Sequence, residues 1–343
     1  MIALQVTLTG VSEAPSCRAH LTYTFNLYCA MIRNESNTVP FRELEKNCEQ
    51  VFRMNPSYWH LYTDGRNSEI LFRNEEELKE AMNMIAIACI SFNDVKVFTF
   101  ELMNNHLHAI LAGPPSSCEL MFLEIKKKLR MNYARSGRVV NFDKFNCRLL
   151  EITSLQSLRN EIVYVNRNGY VARPDCTPFS YPWGAGACLF NPFLRHLPSV
   201  SYDDLTIREK RKLCRSNNVD LGRSHLMVYD GVILPSGYCV IAESESFFRN
   251  AHHYYNLLSK RYEAYSEVAS HLHESIFIAD EEMYSAVCAL CLKYYNVKTP
   301  TQLAAKDKVE MARKMRQDYN ASNRQIKSIL RLEAELVNEL FPE

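Results

Sequence analysis

The stretch from Val95 to Gly113 constrains the fold most, because it has the pattern of two β-strands joined by a tight turn. β-Favouring residues alternate before the turn, Asn104-Asn105 supplies turn residues, and the β pattern resumes directly afterwards. Successive side chains of a strand point to opposite faces, so His106 and His108 are predicted to share one face, about 6 to 7 Å apart along the chain. This arrangement suits joint capture of one metal ion.

A His-x-His pair has a second interpretation, as two polar side chains on a half-exposed strand. His271-Leu-His273 has the same spacing but lies within 262–275, a stretch whose pattern is helical. Residues i and i+2 of a helix do not share a face, so that second pair is not expected to chelate in the same way. The strand context, rather than the spacing alone, supports a metal site at His106 and His108.

Composition places the chain among ordinary globular proteins. Its 343 residues fit two domains more easily than one, with 47% hydrophobic and 23% charged residues. The net charge of +1 gives no global preference for nucleic acid, so any basic surface is expected to be local.

Twelve scattered cysteines without a secretory signal indicate a reduced, cytoplasmic protein. Cys288 and Cys291 have CxxC spacing but lack a second pair, which favours buried thiols over zinc. No apolar run approaches the ~20 residues that span a bilayer, so no membrane association is expected.

The hairpin is preceded by an aromatic strand, Tyr58 to Tyr62, and a helix from Asn74 to Ile90. A second helix is predicted from a cap at Ser116 or Ser117 to Arg135. Its cationic flank is a solvated face in one interpretation and a track for a phosphate backbone in the other. If the flank is such a track, Lys126, Lys127 and Arg130 are the residues expected to contact the phosphates.

A further helix is predicted from Thr153 to Gly169, with Thr153 and Gln156 as a capping box and Gly169 as its stop. Tyr164 and Asn168 are one turn apart and fall on a polar face, away from the apolar stripe. Such a tyrosine is either amphipathic surface or a functional group close to an amide oxygen that can bind a metal.

These motifs together resemble the REP-associated tyrosine transposases, which belong to the HUH single-strand nucleases with one catalytic tyrosine. The resemblance rests on Asn105-His-Leu-His108, Tyr164-Val-x-x-Asn168 and Tyr181-Pro-Trp183, and it covers roughly residues 57 to 185. The chain departs from the family at Gly169, where proline is usual, and at Gly184-Ala185, but neither change removes a reacting group. The resemblance implies an α+β fold, a ferredoxin-like antiparallel sheet with helices on one face, called the HUH nuclease fold.

The resemblance also implies a site and a reaction. His106 and His108 would bind a divalent cation, with the amide oxygen of Asn168 completing the set, and these ligands suit Mg²⁺ or Mn²⁺. Tyr164 would attack the scissile phosphorus and form a 5′-phosphotyrosine with a free 3′-hydroxyl. The implied partner is single-stranded or hairpin DNA, bound by a monomer or homodimer, and Arg167 is counted among the expected DNA contacts.

The remaining chain is predicted to form a second domain. We expect a catalytic domain with an N-terminal extension over 1–200 and a mainly helical domain over 201–343. Within the latter, 306–341 resembles a helix-turn-helix whose first two helices are basic and whose third is acidic. Arg324 and Lys327 are therefore expected to contact phosphate. A protein-interaction or purely structural bundle is the alternative.

Two other functions remain open from the sequence. The first is a domesticated protein of the same fold that binds DNA without catalysis. The second is a metal-dependent phosphoesterase that uses water as its nucleophile. A covalent protein–DNA adduct separates the transposase-like enzyme from both.

Overall fold

A computed structural model describes residues 41–343 apart from 66–69, 173–175, 178, 261–267, 269–271, 273–279, 320 and 343. The chain divides into two compact units, Met1–Glu43 and Leu44–Glu343. Apart from the start of the first helix, every element below lies in the second unit. The helix predicted over 262–275, with His271 and His273, falls almost entirely outside the described residues.

A four-stranded antiparallel sheet forms the centre of the second unit, with the strand order β2-β3-β1-β4. Two helices connect its strands, so the chain runs strand, helix, strand, strand, helix, strand after an initial helix. The predicted α+β class with an antiparallel sheet is confirmed. The bounds are α1 (Phe41–Phe52), β1 (Tyr58–Thr63), α2 (Glu75–Ser91), β2 (Lys96–Leu102), β3 (Leu107–Ala112), α3 (Pro115–Arg135) and β4 (Cys147–Ile152).

Local residues explain where the two connecting helices begin. Asn74 caps α2, because its side-chain oxygen accepts the backbone N–H of Glu77. The predicted serine cap of α3 is wrong: Pro114 occupies the cap position and Pro115 the first turn. Proline suits this position because its missing N–H would have no partner within the helix.

Helices cover both faces of the sheet. On one face, α2 and α3 pack against strand residues that include Leu61, Phe100 and Leu111. On the other face, the helix α4 (Leu155–Ala172) packs against Tyr58 and Ile110, among others. The two helices predicted on one face are present, and α4 covers the other face as well, so both faces of β2 and β3 are buried.

The ends of α4 differ from the sequence prediction. The hydroxyl of Ser154 accepts the N–H of Ser157 at 3.1 Å, so Ser154 rather than Thr153 caps the helix. The helix also continues through Gly169 to Ala172, so Gly169 does not end it. Gly169 instead permits a close approach, since a Cβ there would lie 2.5 Å from a carboxylate oxygen of Glu101.

The chain after α4 forms a small sheet and further short helices. The strands of this sheet have the order β5-β6-β7, and β7 packs against α2. The backbone N–H of Val240 donates to the carbonyl of Val97 in β2 at 2.9 Å. The domain division at residue 200 stays a prediction. The bounds are β5 (Val200–Ser201), α5 (Ile207–Cys214), β6 (Met227–Tyr229), β7 (Val232–Ile233), α6 (Ile241–Ser246) and α7 (Ala251–Lys260).

The C-terminal helices have a core of their own, which contains Met283, Met311, Ile326 and Val337. Ser322 and Gln325 form a capping box, and the three helices predicted for this segment are present. Within the described ranges, no helix is long and apolar enough to cross a membrane. The bounds are α8 (Asp280–Tyr295), α9 (Ala305–Tyr319), α10 (Asn323–Leu330) and α11 (Ala334–Leu340).

Glu101 is a buried carboxyl group on β2, only 1% exposed, and it pairs in register with His108 on β3. Glycines 169, 184 and 186 surround it closely, since a Cβ on any of them would lie 2.5 or 2.6 Å from its carboxylate oxygens. Burial raises the pKa of Glu101 well above its ordinary value of 4.5, and the N–H of Gly186 partly offsets this. The fold therefore favours the neutral acid.

We predict that Glu101→Gln makes stability less dependent on pH. Folding raises this pKa, so the protonated carboxyl group of Glu101 contributes fully to the stability of the folded state below the unfolded pKa of 4.5. That contribution is lost as pH rises toward the folded pKa. Each unit of the shift corresponds to about 1.4 kcal/mol. Urea unfolding at about pH 5 and about pH 8 should show a smaller pH-dependent loss in the variant. Glu119→Gln, at an exposed position of α3, is the control and should behave as wild type.

Candidate functional site

The candidate site lies between the sheet and α4. Antiparallel pairing sets Tyr62 of β1 opposite His108 of β3, and His60 opposite Ile110. Residues of equal parity share a face, so His60, Tyr62 and His108 all face α4. The sequence analysis did not identify His60 as a site residue.

A chain of hydrogen bonds connects His108 to α4. The Nε2 atom of His60 lies 3.0 Å from Nδ1 of His108, and Nδ1 of His60 lies 2.7 Å from Oε2 of Glu161. His60 and His108 are 0% exposed and Glu161 is 4% exposed. The carboxylate of Glu161 and the imidazoles of His60 and His108 thus form a buried line of hydrogen-bonded groups, which starts at the helix and ends at a predicted metal ligand.

His106 lies directly before β3, in a turn closed by a hydrogen bond from the N–H of Met103 to the His106 carbonyl at 2.8 Å. Its ring centroid is 5.2 Å from that of His108, and the two rings are nearly perpendicular at 88°. Asn105 holds this ring in place: its Oδ1 lies 2.6 Å from Nδ1 of His106, while its Nδ2 donates to the carbonyl of Gly65 at 2.8 Å.

Tyr164 belongs to the same cluster and is buried, so the interpretation of this tyrosine as amphipathic surface is wrong. Its side chain is 3% exposed, and its ring centroid lies 5.7 Å from that of His108 and 6.1 Å from that of His60. The polar side of α4 can face the protein interior because its polar side chains form hydrogen bonds with other parts of the chain. Arg159 Nε donates to the carbonyl of Phe247 at 2.6 Å, and Asn166 Nδ2 donates to the hydroxyl of Tyr254 at 2.9 Å.

Asn168, the third predicted ligand, lies in α4 one turn after Tyr164 and is half-buried. Its role as a ligand stays a prediction. Within the described ranges, no three His, Cys, Asp or Glu side chains converge as a metal site. The predicted set is of a different kind, since it combines two imidazoles with an amide oxygen.

The predicted DNA-binding residues are not gathered at this cluster. Lys126, Lys127 and Arg130 lie on α3, which covers the opposite face of the sheet. Lys126 donates to Asn146 Oδ1 at 2.8 Å, and Lys127 pairs with Glu124 at 3.0 Å. Arg130 is exposed on the same helix.

The other three cations differ in exposure. Arg167 is only 4% exposed, so its guanidinium is not presented to solvent. Arg324 and Lys327 are exposed on α10, where Arg324 pairs with Asp280 at 3.1 Å.

Of all the site residues predicted from the sequence, the structure brings together His106, His108 and Tyr164.

Known proteins offer little to compare with this site. No protein-family model matches the chain, and no curated protein matches it. A solved structure, described as that of the REP associates tyrosine transposase bound to a REP hairpin, is similar over 38% of this chain and 77% of that chain. The identity is 16% and the TM-score is 0.29. These values do not establish a shared fold, so the proposals below rest on the geometry of the site.

We predict that Gly65→Ala displaces the His106 ring. A Cβ at Gly65 would lie 2.7 Å from Nδ1 of His106, which is closer than real Cβ contacts allow, so the ring must move. In a histidine-selective NMR spectrum, the ring signals of His106 should shift. Those of His225, which lies in an exposed loop, serve as the internal control and should not change. An unchanged His106 signal would show that Gly65 does not hold this ring.

Proposed function

We propose that this chain is a metal-dependent single-strand DNA endonuclease and strand transferase of the HUH type, with Tyr164 as nucleophile. The observation that carries the proposal is the placement of Tyr164 against His108, whose rings lie 5.7 Å apart. Two motifs that are distant in the sequence thereby meet in one cluster. A nucleophile beside a pair of imidazole ligands is what metal-assisted phosphoryl transfer requires.

The residues present fit a divalent cation. His106 and His108 would hold it through ring nitrogens, and the amide oxygen of Asn168 would be the third protein ligand. When bound, the cation would supply positive charge that polarises a non-bridging oxygen of the scissile phosphate. Imidazole and oxygen donors with open positions suit Mg²⁺ or Mn²⁺.

The proposed reaction exchanges one phosphate ester for another. The phenol oxygen of Tyr164 forms a bond to phosphorus, and the bond from phosphorus to the 3′ oxygen breaks. The phenol gives its proton to solvent, the departing 3′ oxygen takes a proton from solvent, and the products are a 5′-phosphotyrosine and a free 3′-hydroxyl. Because the new ester retains the energy of the phosphodiester, a 3′-hydroxyl can reverse the step and join strands without a nucleotide cofactor.

The fold supports this assignment. A strand-helix-strand-strand-helix-strand order with antiparallel neighbours β2-β3-β1-β4 is the ferredoxin-like arrangement that the HUH nuclease fold implies. The substrate we propose is single-stranded DNA carrying a hairpin. Arg324 and Lys327, both exposed on α10, would contact its phosphates from the C-terminal helices.

One observation favours a second function. Tyr164 is 3% exposed and His108 is 0% exposed, so a phosphodiester reaches them only after covering segments move aside. A protein of the same fold that binds DNA without cleaving it needs no such movement. The formation of a covalent adduct therefore decides between the enzyme and the catalytically silent binding protein.

We predict that Tyr164→Phe abolishes covalent attachment to DNA while leaving the fold intact, because only the hydroxyl is lost. The full chain is incubated with Mn²⁺ and end-labelled single-stranded hairpin oligonucleotides, and the label that migrates with the protein is measured on a denaturing gel. Tyr62→Phe is the matched control, since it removes the hydroxyl of another tyrosine packed against His108, at 6.4 Å between ring centroids. It should retain the adduct. An adduct that persists in Tyr164→Phe would refute the assignment, and its absence from wild type would favour the silent binding protein.

We predict that Arg324→Gln combined with Lys327→Gln weakens DNA binding about equally for different sequences, because phosphate contacts carry little sequence information. Losing two contacts to a single strand should reduce the slope of log affinity against log salt by about 1.4. Lys46→Gln with Arg53→Gln, two exposed cations of α1 and the loop after it, is the matched control. Equal effects of both double variants would mean that only total charge matters.

A further inference from the structure

We propose that Asn105 and the pair His60–Glu161 are positioning residues that fix the tautomers of His106 and His108, so that both rings offer Nε2 to a cation. The inference rests on the proposed function only for the identity of what is bound. The tautomers themselves are properties of the metal-free protein. They follow from the donors and acceptors that surround each Nδ1 atom.

The first arm of this network acts on His108. An ionised carboxylate only accepts hydrogen bonds, so the contact of 2.7 Å between Glu161 Oε2 and His60 Nδ1 requires a proton on Nδ1. A neutral imidazole that donates from Nδ1 accepts at Nε2. For a His60 ring that carries one proton, the contact of 3.0 Å between His60 Nε2 and His108 Nδ1 therefore places a proton on His108 Nδ1. The acceptor nitrogen of His108 is therefore Nε2.

The second arm acts on His106. The amide of Asn105 is oriented by its donation from Nδ2 to the carbonyl of Gly65 at 2.8 Å, since a carbonyl oxygen cannot donate. Its Oδ1 is consequently the atom that faces His106 Nδ1, at 2.6 Å. An amide oxygen only accepts, so His106 Nδ1 carries the proton. The acceptor nitrogen of His106 is again Nε2.

The two arms reach the same result from different parts of the fold. Asn105 acts from the turn before β3, and Glu161 acts from α4 through β1. Histidines that bind metals usually donate their other ring N–H to a carboxylate, a carbonyl or a similar acceptor, which fixes the tautomer and the orientation of the ring. Asn105 fills that role for His106, and the ring of His60, itself oriented by Glu161, fills it for His108.

The direct test is the tautomeric state of both histidines in the full, metal-free chain, measured by long-range ¹H–¹⁵N correlation spectra of ¹⁵N-histidine-labelled protein. In wild type, both rings should be protonated at Nδ1. Glu161→Gln replaces an obligate acceptor by an amide that can also donate, so a second tautomer should become populated at His108 and not at His106. Asn105→Ala should affect His106 and not His108.

The matched control is Glu101→Gln, the same chemical change at another buried carboxyl on this face of the sheet. It should leave both tautomers as in wild type. A wild-type His106 or His108 protonated at Nε2 would overturn the proposal. An unchanged His108 in Glu161→Gln would also overturn it, as would an equal response to Glu101→Gln.

Calorimetric titration with Mn²⁺ then links the network to the proposed function. Glu161→Gln and Asn105→Ala should each weaken binding by about 10-fold to 100-fold, as the loss of a residue behind a metal ligand typically does. Glu101→Gln should bind as wild type. Wild type that binds no Mn²⁺ would contradict the proposed metal site, whereas the spectra of the metal-free protein would still decide whether the tautomers are fixed. Unaltered affinity in both variants of the network would overturn their positioning role.

Discussion

The buried hydrogen-bonded line from Glu161 through His60 to His108 is the constraint on which the rest of the site depends. Three polar side chains lie between a sheet and a helix with almost no exposure, so each must find its partner within the protein. Leaving one such group without its bond costs about 1 to 3 kcal/mol. The cost applies to any shift in register between β1 and β3 or along α4, and the line therefore helps to select the observed packing.

The same interface explains why α4 differs from the other helices on the sheet. The face covered by α2 and α3 is apolar, and its packing resembles an ordinary core. The face covered by α4 combines apolar contacts with buried polar groups that include Arg159, Glu161 and Asn166. Glu101 adds a carboxyl group to this face, held among glycines directly across from His108. A polar layer of this kind is expensive to bury, so its side chains depend on hydrogen-bond partners within the protein.

Local signals were sufficient for much of the fold. The hairpin with its histidines follows from alternation and turn residues, and the helix predicted from Asn74 to Ile90 is present as α2. The α+β class was implied by the family resemblance, and the predicted order of these elements is compatible with it. Each of these features depends on residues close together in the sequence, which is why it can be predicted without knowledge of tertiary contacts.

The features that were not predicted from the sequence depend on long-range contacts. The burial of Tyr164 was not predicted, because apolar periodicity does not reveal that a polar helix face is buried against polar partners. His60 could have been noticed, since Tyr58, His60 and Tyr62 alternate on one face of an aromatic strand. Its contact with His108 depends on the register of β1 with β3, and its contact with Glu161 depends on the position of α4 on the sheet. Neither can be read from a single sequence.

In the proposed function, His106, His108 and Tyr164 surround one metal-binding site. Anomalous diffraction at the manganese edge, from crystals of the full chain grown with Mn²⁺, would locate the bound cation itself. We expect a peak within bonding distance of Nε2 of both His106 and His108, with the amide oxygen of Asn168 as a third protein ligand and Tyr164 beside it. A Mn²⁺ peak elsewhere on the chain, or one bonded to the histidines through Nδ1, would refute this assignment.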